Sequence, residues 1–186
     1  MKKIFLVISM IILIQASSLK EECNNGNGKS CTIIGEYYHL GIKGLKQNFY
    51  IALKYYIKGC KLNYAEACNN LGFLYKNGKG VTKNYKKANQ YYVKACKLNK
   101  NYCFNLGNSY YNGEEVKQSY KKAKYYYEMA CQANIAQGCF NIGILYYNGQ
   151  GVTKNHKKAK YYYKKACDLG YSEGCRNYSI LNYQGY

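Results

Sequence analysis

A pattern of about 36 residues recurs through most of this chain. Residues 67–81 read ACNNLGFLYKNGKGV, residues 139–152 read CFNIGILYYNGQGV, and residues 103–116 form a third copy. Residues 31–38, CTIIGEYY, are a degenerate first copy. The segment that follows each copy ends in a cysteine, and these cysteines lie 36, 35 and 36 residues apart: Cys60, Cys96, Cys131 and Cys167. Such self-similarity predicts stacked repeats instead of one globular core.

Each copy predicts a pair of helices. In the first helix, Leu71, Leu74 and Tyr75 follow helical spacing, and the recurring Gly72 indicates a neighbouring helix too close for a Cβ. An Asn-Gly pair ends this helix. The second helix begins near an N-cap residue and carries alanine, tyrosine and alanine at i, i+4 and i+7 on one face. The N-cap candidates are Asn84, Ser119 and Asn155. The tyrosines beside that face are expected to line a surface or groove: Tyr91, Tyr126 and Tyr162.

The predicted fold class is therefore all-α, an α/α solenoid of about four helix-pair repeats plus a terminal helix, stapled by local disulfides. The solenoid covers residues 19–186. Its parts are repeats at roughly 31–60, 68–96, 103–131 and 139–167, and a terminal helix at 173–182.

Residues 1–18 have the pattern of a secretory signal peptide. Lys2 and Lys3 precede the apolar run Ile4–Ile14, and Ala16-Ser17-Ser18 offers small residues for cleavage. The run is shorter than a stable membrane-spanning helix, so an uncleaved anchor is the less favoured alternative. We expect a secreted or periplasmic protein without stable membrane insertion.

Ten cysteines support export to an oxidising compartment. Four pairs have the spacing C-x7-C and one has C-x6-C, which favours five local bridges over a zinc site, because zinc sites prefer C-x2-4-C pairs. The predicted pairs are Cys23–Cys31, Cys60–Cys68, Cys96–Cys103, Cys131–Cys139 and Cys167–Cys175. We expect neither metal nor cofactor.

The formal charge is +19, from 28 basic and 9 acidic residues. Such an excess can attract nucleic acid, anionic lipid or acidic surfaces. However, the lysines recur on every copy instead of forming one patch, which favours a solvated surface. Nucleic acid is not an expected partner.

The repeated positions resemble known families. Leu71-Gly72, Tyr75, Ala88 and Tyr92 match the tetratricopeptide pattern, and the longer loop from Asn77 to Val81 resembles the Sel-one-like repeat. With the C-x7-C pairs, the chain resembles the Helicobacter cysteine-rich protein family over nearly all of residues 31–183. That resemblance implies a secreted right-handed solenoid with penicillin binding, slow β-lactam hydrolysis (the β-lactamase label) and immunomodulation.

The residues of a β-lactamase are not evident. Ser119–Lys122 matches S-x-x-K without its companion motifs and is most simply an N-cap, while Ser17–Lys20 straddles the predicted cleavage site. A zinc enzyme is excluded because there are only two histidines, His39 and His156. The carboxylates in equivalent positions before a first helix's cysteine are interpreted as charges that favour the helix start. They are Glu66 and Glu173. Catalytic residues are thus unknown.

Binding has better support. Asn70, Asn105 and Asn141 recur just before Leu/Ile-Gly, a position that resembles one used by carboxylate-clamp tetratricopeptide proteins on their concave face; Asn108 lies one turn beyond Asn105. Their amides could hold an extended peptide, or they could bond neighbouring repeats. The leading hypothesis is a scaffold that binds a peptide, a cell-wall fragment or a partner protein, with β-lactams bound through likeness to acyl-D-Ala-D-Ala. The alternatives are a β-lactam hydrolase and a host-facing effector.

Overall fold

The computed structural model describes residues 16–113 and 116–186, and all regular structure within these ranges is helical. The predicted signal peptide lies outside the described residues except for residues 16–18, which belong to a helical segment over residues 16–24. The chain divides into two compact units, one ending at Leu98 and the other running from Asn99 to Tyr186. No helix in the described ranges is long and apolar enough to cross a membrane.

Within the described ranges, nine further α-helices follow the segment over residues 16–24. In the N-terminal unit they are α1 (Gly28–Leu40), α2 (Phe49–Lys61), α3 (Ala65–Asn77) and α4 (Tyr85–Leu98). In the C-terminal unit they are α5 (Cys103–Asn112), α6 (Tyr120–Gln132), α7 (Ala136–Asn148), α8 (His156–Asp168) and α9 (Ser172–Tyr183). We call α1, α3, α5 and α7 the first helices, and α2, α4, α6 and α8 the second helices. Each first helix packs on the second helix that follows it, and α9 packs on α8. The predicted α/α solenoid class, with four helix pairs and a terminal helix, is confirmed.

The first helices begin earlier than the cysteines would suggest. Helix α3 begins at Ala65 and α7 at Ala136, each three residues before its cysteine. Helix α5 instead begins at Cys103 itself, after a short 3-10 turn over Lys100–Tyr102, and has 10 residues where α3 and α7 have 13. The sequence before Cys103 is one residue shorter than in the other copies, so the helix cannot start at the same place.

The helix ends are set by local sequence. The side chains of Asn84, Ser119 and Asn155 accept hydrogen bonds from backbone N–H groups three residues on, at 2.9, 3.3 and 2.8 Å. These bonds satisfy N–H groups that have no partner within the helix, and they confirm the predicted N-caps. At the other end of α3, Gly78 adopts φ 66°, a left-handed conformation that favours glycine.

Within each unit, disulfides join the ends of second helices to the helices that follow them. Cys60–Cys68, Cys131–Cys139 and Cys167–Cys175 bridge α2 to α3, α6 to α7 and α8 to α9, and Cys23–Cys31 ties the N-terminal segment to α1. Cys96 and Cys103 are disulfide-bonded as well. The local disulfides in the predicted fold class are confirmed.

A stacked pair of tyrosines lies between the two helices of each repeat. The ring of Tyr126 stacks on Tyr110 with centroids 5.5 Å apart, and Tyr162 stacks on Tyr146 at 5.8 Å. The pairs Tyr75–Tyr91 and Tyr38–Tyr55 repeat this contact in the N-terminal unit. The second-helix tyrosines that were expected to line a surface are thus half-buried and held by their own repeat.

Candidate functional site on the first helices

A tyrosine of the second helix packs against a glycine of the first helix in every repeat. A Cβ added at Gly107 would lie 2.5 Å from the ring of Tyr127, and one added at Gly143 would lie 2.5 Å from Tyr163. The equivalent pairs in the N-terminal unit are Gly35 with Tyr56 and Gly72 with Tyr92. The predicted close approach of a neighbouring helix to this glycine is confirmed.

The hydroxyl of this tyrosine bonds asparagines on the first helices. Tyr127 donates to Oδ1 of Asn108 at 2.7 Å, and Nδ2 of Asn141 donates to the same oxygen at 3.4 Å. Burial raises the pKa of Tyr127 far above its ordinary value, while a hydrogen bond with Asn141 opposes the rise. The hydroxyl therefore stays protonated and able to donate.

The same bond recurs at other repeat junctions. Asn70 hydrogen-bonds Tyr56, and Asn177 hydrogen-bonds Tyr163. Burial raises the pKa of Tyr163 to about 12, and the bond from Asn177 lowers it. Helix α1 carries Ile33 at the position of Asn70, and no tyrosine-bearing second helix precedes it among the described residues. The asparagine is thus present where a tyrosine of the preceding second helix can hydrogen-bond it, and it is replaced by isoleucine in α1, where no such tyrosine precedes.

All four asparagines that were predicted to bind a ligand are half-buried on first helices. They are Asn70 on α3, Asn105 and Asn108 on α5, and Asn141 on α7. The structure brings Asn108 and Asn141 together around the Tyr127 hydroxyl. Asn70, Asn108 and Asn141 thus take part in bonds that hold the repeats together, and the ligand-binding role of all four asparagines stays a prediction.

The N-terminal unit has a carboxyl pair on this face. Glu36 on α1 and Glu66 in the first turn of α3 are hydrogen-bonded to each other, and Asn70 also bonds Glu36. The pKa of Glu36 is raised from 4.5 to about 7, first by burial and then by the negative charge and hydrogen bond of Glu66. The hydrogen bond from Asn70 lowers this pKa and so offsets part of the rise. Glu36 thus retains its proton at a pH closer to neutral than an ordinary glutamate does.

Aromatic rings and a lysine lie beside this pair. His39 Nδ1 is 3.2 Å from the Tyr56 hydroxyl, and the His39 ring packs against Phe49 and Phe73 with centroids 5.3 and 5.7 Å apart. Lys79 lies over both phenylalanine rings. Burial lowers the pKa of His39, and the charge of Lys79 lowers it further. The group presents a carboxyl with a raised pKa, an imidazole with a lowered pKa and an apolar ring surface together.

In the C-terminal unit the corresponding face carries a pocket of about 240 Å³. Ile144 and Tyr147 of α7 line it with Asn177 and Ile180 of α9, and Tyr163 of α8 also contributes to the lining. Tyr147 and Ile180 are 40% and 46% exposed. The lining is mainly apolar and includes two asparagine amides, so it suits an apolar side chain attached to a polar backbone.

The residues considered for β-lactam chemistry have other contacts. Ser119 caps α6, and the ammonium of Lys122 lies 5.1 Å from the centre of the Tyr110 ring. In the described ranges, no three histidine, cysteine or acidic side chains form a group that could hold a metal ion. Ser17 lies exposed on the N-terminal helical segment.

A family model described as the Sel1 repeat matches four consecutive segments, residues 28–64, 65–100, 101–135 and 136–171. The chain belongs to the Sel1 repeat family. Each Sel1 repeat takes in one first helix and the second helix that follows it. The resemblance to the Sel-one-like repeat is thereby confirmed.

Solved structures of Sel1-type proteins share the fold. The c5321 protein, a protective antigen of uropathogenic Escherichia coli displaying an SLR fold, aligns with TM-score 0.86 and 26% identity over 91% of this chain and 36% of its own. A Sel1 repeat protein from Oxalobacter formigenes aligns with TM-score 0.80 and 26% identity over 88% of this chain and 65% of its own. This chain therefore spans about a third of the first protein and just under two thirds of the second.

The cysteine-rich protein B of Helicobacter pylori has 40% identity and TM-score 0.55 over 69% of this chain and 96% of its own. This similarity places the chain among the Helicobacter cysteine-rich proteins of the Sel1 repeat family, as its cysteine spacing indicated. None of the curated proteins matches the chain.

The sequence reasoning missed the carboxyl pair. Glu66 was interpreted as a charge at a helix start, which the structure supports, but it also faces Glu36. Glu36 lies in the degenerate first copy, where Phe73, Asn108 and Ile144 occupy the same position after the glycine in later copies. Aligning the copies would have singled out this variable position.

Proposed function

We propose that this Sel1 repeat protein is an extracytoplasmic scaffold that binds an extended segment of a partner protein on its first helices. The observation that carries the proposal is the contrast between a constant framework and a variable position. Glycine, tyrosine and asparagine recur from repeat to repeat in the sequence, whereas the position directly after the glycine differs in each repeat. It holds Glu36, Phe73, Asn108 and Ile144. Repeat proteins use such faces for binding, because neighbouring repeats already supply their stability.

The exposed groups suit a peptide with mixed side chains. Phe73 is 37% exposed beside His39, and the pocket at Tyr147 and Ile180 accepts an apolar side chain. Amides in the lining, Asn148 and Asn177, can pair with a peptide backbone. In this proposal Asn70, Asn105, Asn108 and Asn141 are contact residues whose orientation is fixed by the framework.

The disulfides support an extracytoplasmic location, since they persist in oxidising compartments. A cell-wall peptide ending in D-Ala-D-Ala is a more specific candidate ligand, and β-lactams would bind because they resemble that peptide. Hydrolysis of β-lactams has less support, because Ser119 is a helix cap and Lys122 packs on an aromatic ring.

The proposal is tested by selecting displayed random peptides on the oxidised protein and measuring the affinity of those selected. Phe73→Ala should weaken binding about tenfold, as is usual for an exposed aromatic anchor. The control is Tyr125→Ala, which removes a ring that is 57% exposed on the second helix α6. Equal losses in both variants, or selected peptides that bind the reduced protein equally well, would contradict the proposal.

A D-Ala-D-Ala peptide and benzylpenicillin are titrated separately against the wild type and a variant with alanine at Asn70, Asn105 and Asn141. Saturable binding lost in the variant supports the cell-wall candidate. Absence of saturation up to millimolar concentration removes that candidate and leaves the protein-partner proposal standing. Turnover of the β-lactam that exceeds the reduced control would favour the hydrolase instead.

A further inference from the structure

A second open pocket lies between the second helix α8 and the terminal helix α9. Its volume is about 330 Å³, and three lysines and three tyrosines line it: Lys157, Lys160, Tyr161, Lys164, Tyr178 and Tyr186. Of these residues, none belongs to a first helix. The pocket is therefore independent of the binding face proposed above.

The lysines are close together because they lie at i, i+3 and i+7 on one side of α8. Lys164 pairs with Asp168 at 2.8 Å, and both side chains are more than half exposed. Lys160 donates to a main-chain oxygen of Tyr186 and lies 5.9 Å from the centre of the Tyr178 ring. Lys157 makes no ion pair with a described residue. Among the side chains of the described residues, the three ammonium groups have one acidic partner, Asp168, and a bound anion would relieve their mutual repulsion.

The preceding repeat lacks this excess of charge. Lys124 and Glu128 of α6 occupy the positions of Lys160 and Lys164, and they form an ion pair at 2.6 Å. Helix α4 has Asn89 and Val93 at these places. The cationic pocket is therefore specific to the last repeat and is not part of the framework.

The tyrosines give the pocket flat walls. Tyr161 is 61% exposed, and its ring packs edge-on against Tyr162, which itself stacks on Tyr146. Tyr186 is 42% exposed and contacts the ring of His156 at a centroid distance of 4.4 Å. Both rings are thus oriented by a second aromatic ring while much of their surface faces solvent.

We infer that this pocket binds a sulfated or uronate sugar of an acidic polysaccharide. Ammonium groups pair with the anionic substituents, and tyrosine rings offer apolar faces to the sugar ring. The volume suits a small ring ligand. An acidic peptide fits less well, because the lining contains no side-chain amide and the backbone groups of helix interiors are bonded internally, so a peptide backbone would lack partners.

The test is calorimetric titration of the oxidised protein with a heparin-derived hexasaccharide at physiological salt. Lys164→Glu recreates the ion pair of the preceding repeat, and Tyr161→Ala removes an exposed wall. We expect each change to weaken binding about tenfold, as for the loss of a central contact. Each has a matched control in α6, Lys121→Glu and Tyr125→Ala, which should change the affinity less than about twofold.

Equal losses in α8 and α6 variants would overturn the inference, because they would indicate binding to the net positive charge of the whole chain. Competition by a poly-glutamate peptide of equal charge, at the same affinity as the hexasaccharide, would overturn the assignment to a saccharide. Circular dichroism of each variant checks that the helices are intact. Phe73→Ala should bind the hexasaccharide as the wild type does, because Phe73 does not line this pocket. Failure of the saccharide inference can therefore be distinguished from failure of the first-helix proposal.

Discussion

The hydroxyl of Tyr127 donates a 2.7 Å hydrogen bond to Oδ1 of Asn108, and Asn141 donates to the same oxygen. Tyr127 is on α6, Asn108 on α5 and Asn141 on α7, so three helices of the C-terminal unit meet in one buried polar group. Repeat proteins have contacts only between neighbouring repeats. A bond of this kind therefore fixes how one repeat sits on the next.

Tyr127→Phe should lower the free energy of unfolding by about 1–2 kcal/mol, because the Asn108 oxygen loses its shorter hydrogen bond while remaining half-buried. Urea denaturation followed by circular dichroism measures the change. Tyr126→Phe is the control, since that hydroxyl makes no hydrogen bond to a described residue; it should cost less than about 0.5 kcal/mol. Equal stability of Tyr127→Phe and wild type would show that the bond does not join the repeats.

The helix pairs could be predicted from sequence because period, caps and small residues are local signals. Gly72 and Ala88 lie 16 residues apart, and their recurrence in each copy indicated two closely packed helices. The partner of Asn141 could not be predicted. Tyrosine and asparagine both occur widely in this chain, and only the fold shows which hydroxyl meets which amide.

Gly143→Ala should destabilise the C-terminal unit although alanine is the better helix former. The added Cβ would lie 2.5 Å from the ring of Tyr163, which is buried and cannot move aside easily. We expect overpacking to cost about 1–3 kcal/mol, more than the roughly 1 kcal/mol gained in helix propensity. The shift in the midpoint of thermal unfolding measures the net effect of the overpacking cost and the helix-propensity gain. Ser179→Ala, at the equivalent but exposed position of α9, should be neutral or slightly stabilising; a loss as large as that of Gly143→Ala would contradict the packing argument.

Glu36 should make the stability of the N-terminal unit fall as pH rises from about 4.5 to about 7. Its pKa in the folded chain is about 7 against an ordinary 4.5, so over this range the folded state binds more protons than the unfolded state. His39, whose pKa is lowered, acts in the opposite direction. Comparison of the wild type with Glu36→Gln therefore isolates the carboxyl.

Above pH 7 we expect Glu36→Gln to be more stable than the wild type by on the order of 1 kcal/mol, after allowance for solvent screening of a half-exposed group. Urea denaturation at pH 4, 6 and 8 measures the difference. Glu173→Gln is the control, because Glu173 is the exposed equivalent of Glu66 in the first turn of α9. A wild type whose stability does not fall with pH, relative to Glu36→Gln, would show that the pKa of Glu36 is not raised in the folded chain.

This pair also shows where sequence reasoning stopped. Glu66 was predicted correctly as a helix-start charge, since that depends only on neighbours in sequence. Its contact with Glu36 joins residues 30 positions apart in two repeats. Only the packing of α1 near α3 brings the two carboxyls together. The repeat pattern does not specify this contact, because each of the other copies lacks a carboxyl at one or both of the equivalent positions.

Replacing Cys131 and Cys139 with alanine should lower the free energy of unfolding by about 2.5 kcal/mol on the chain-entropy estimate. The bridge closes a segment with a sequence separation of 8 and joins α6 to α7. Cys167 and Cys175 have the same separation, so replacing that pair should cost a similar amount. Urea denaturation of both variants measures the two losses. If they differ by more than about 1 kcal/mol, the bridges stabilise the folded contacts instead of restricting the unfolded chain.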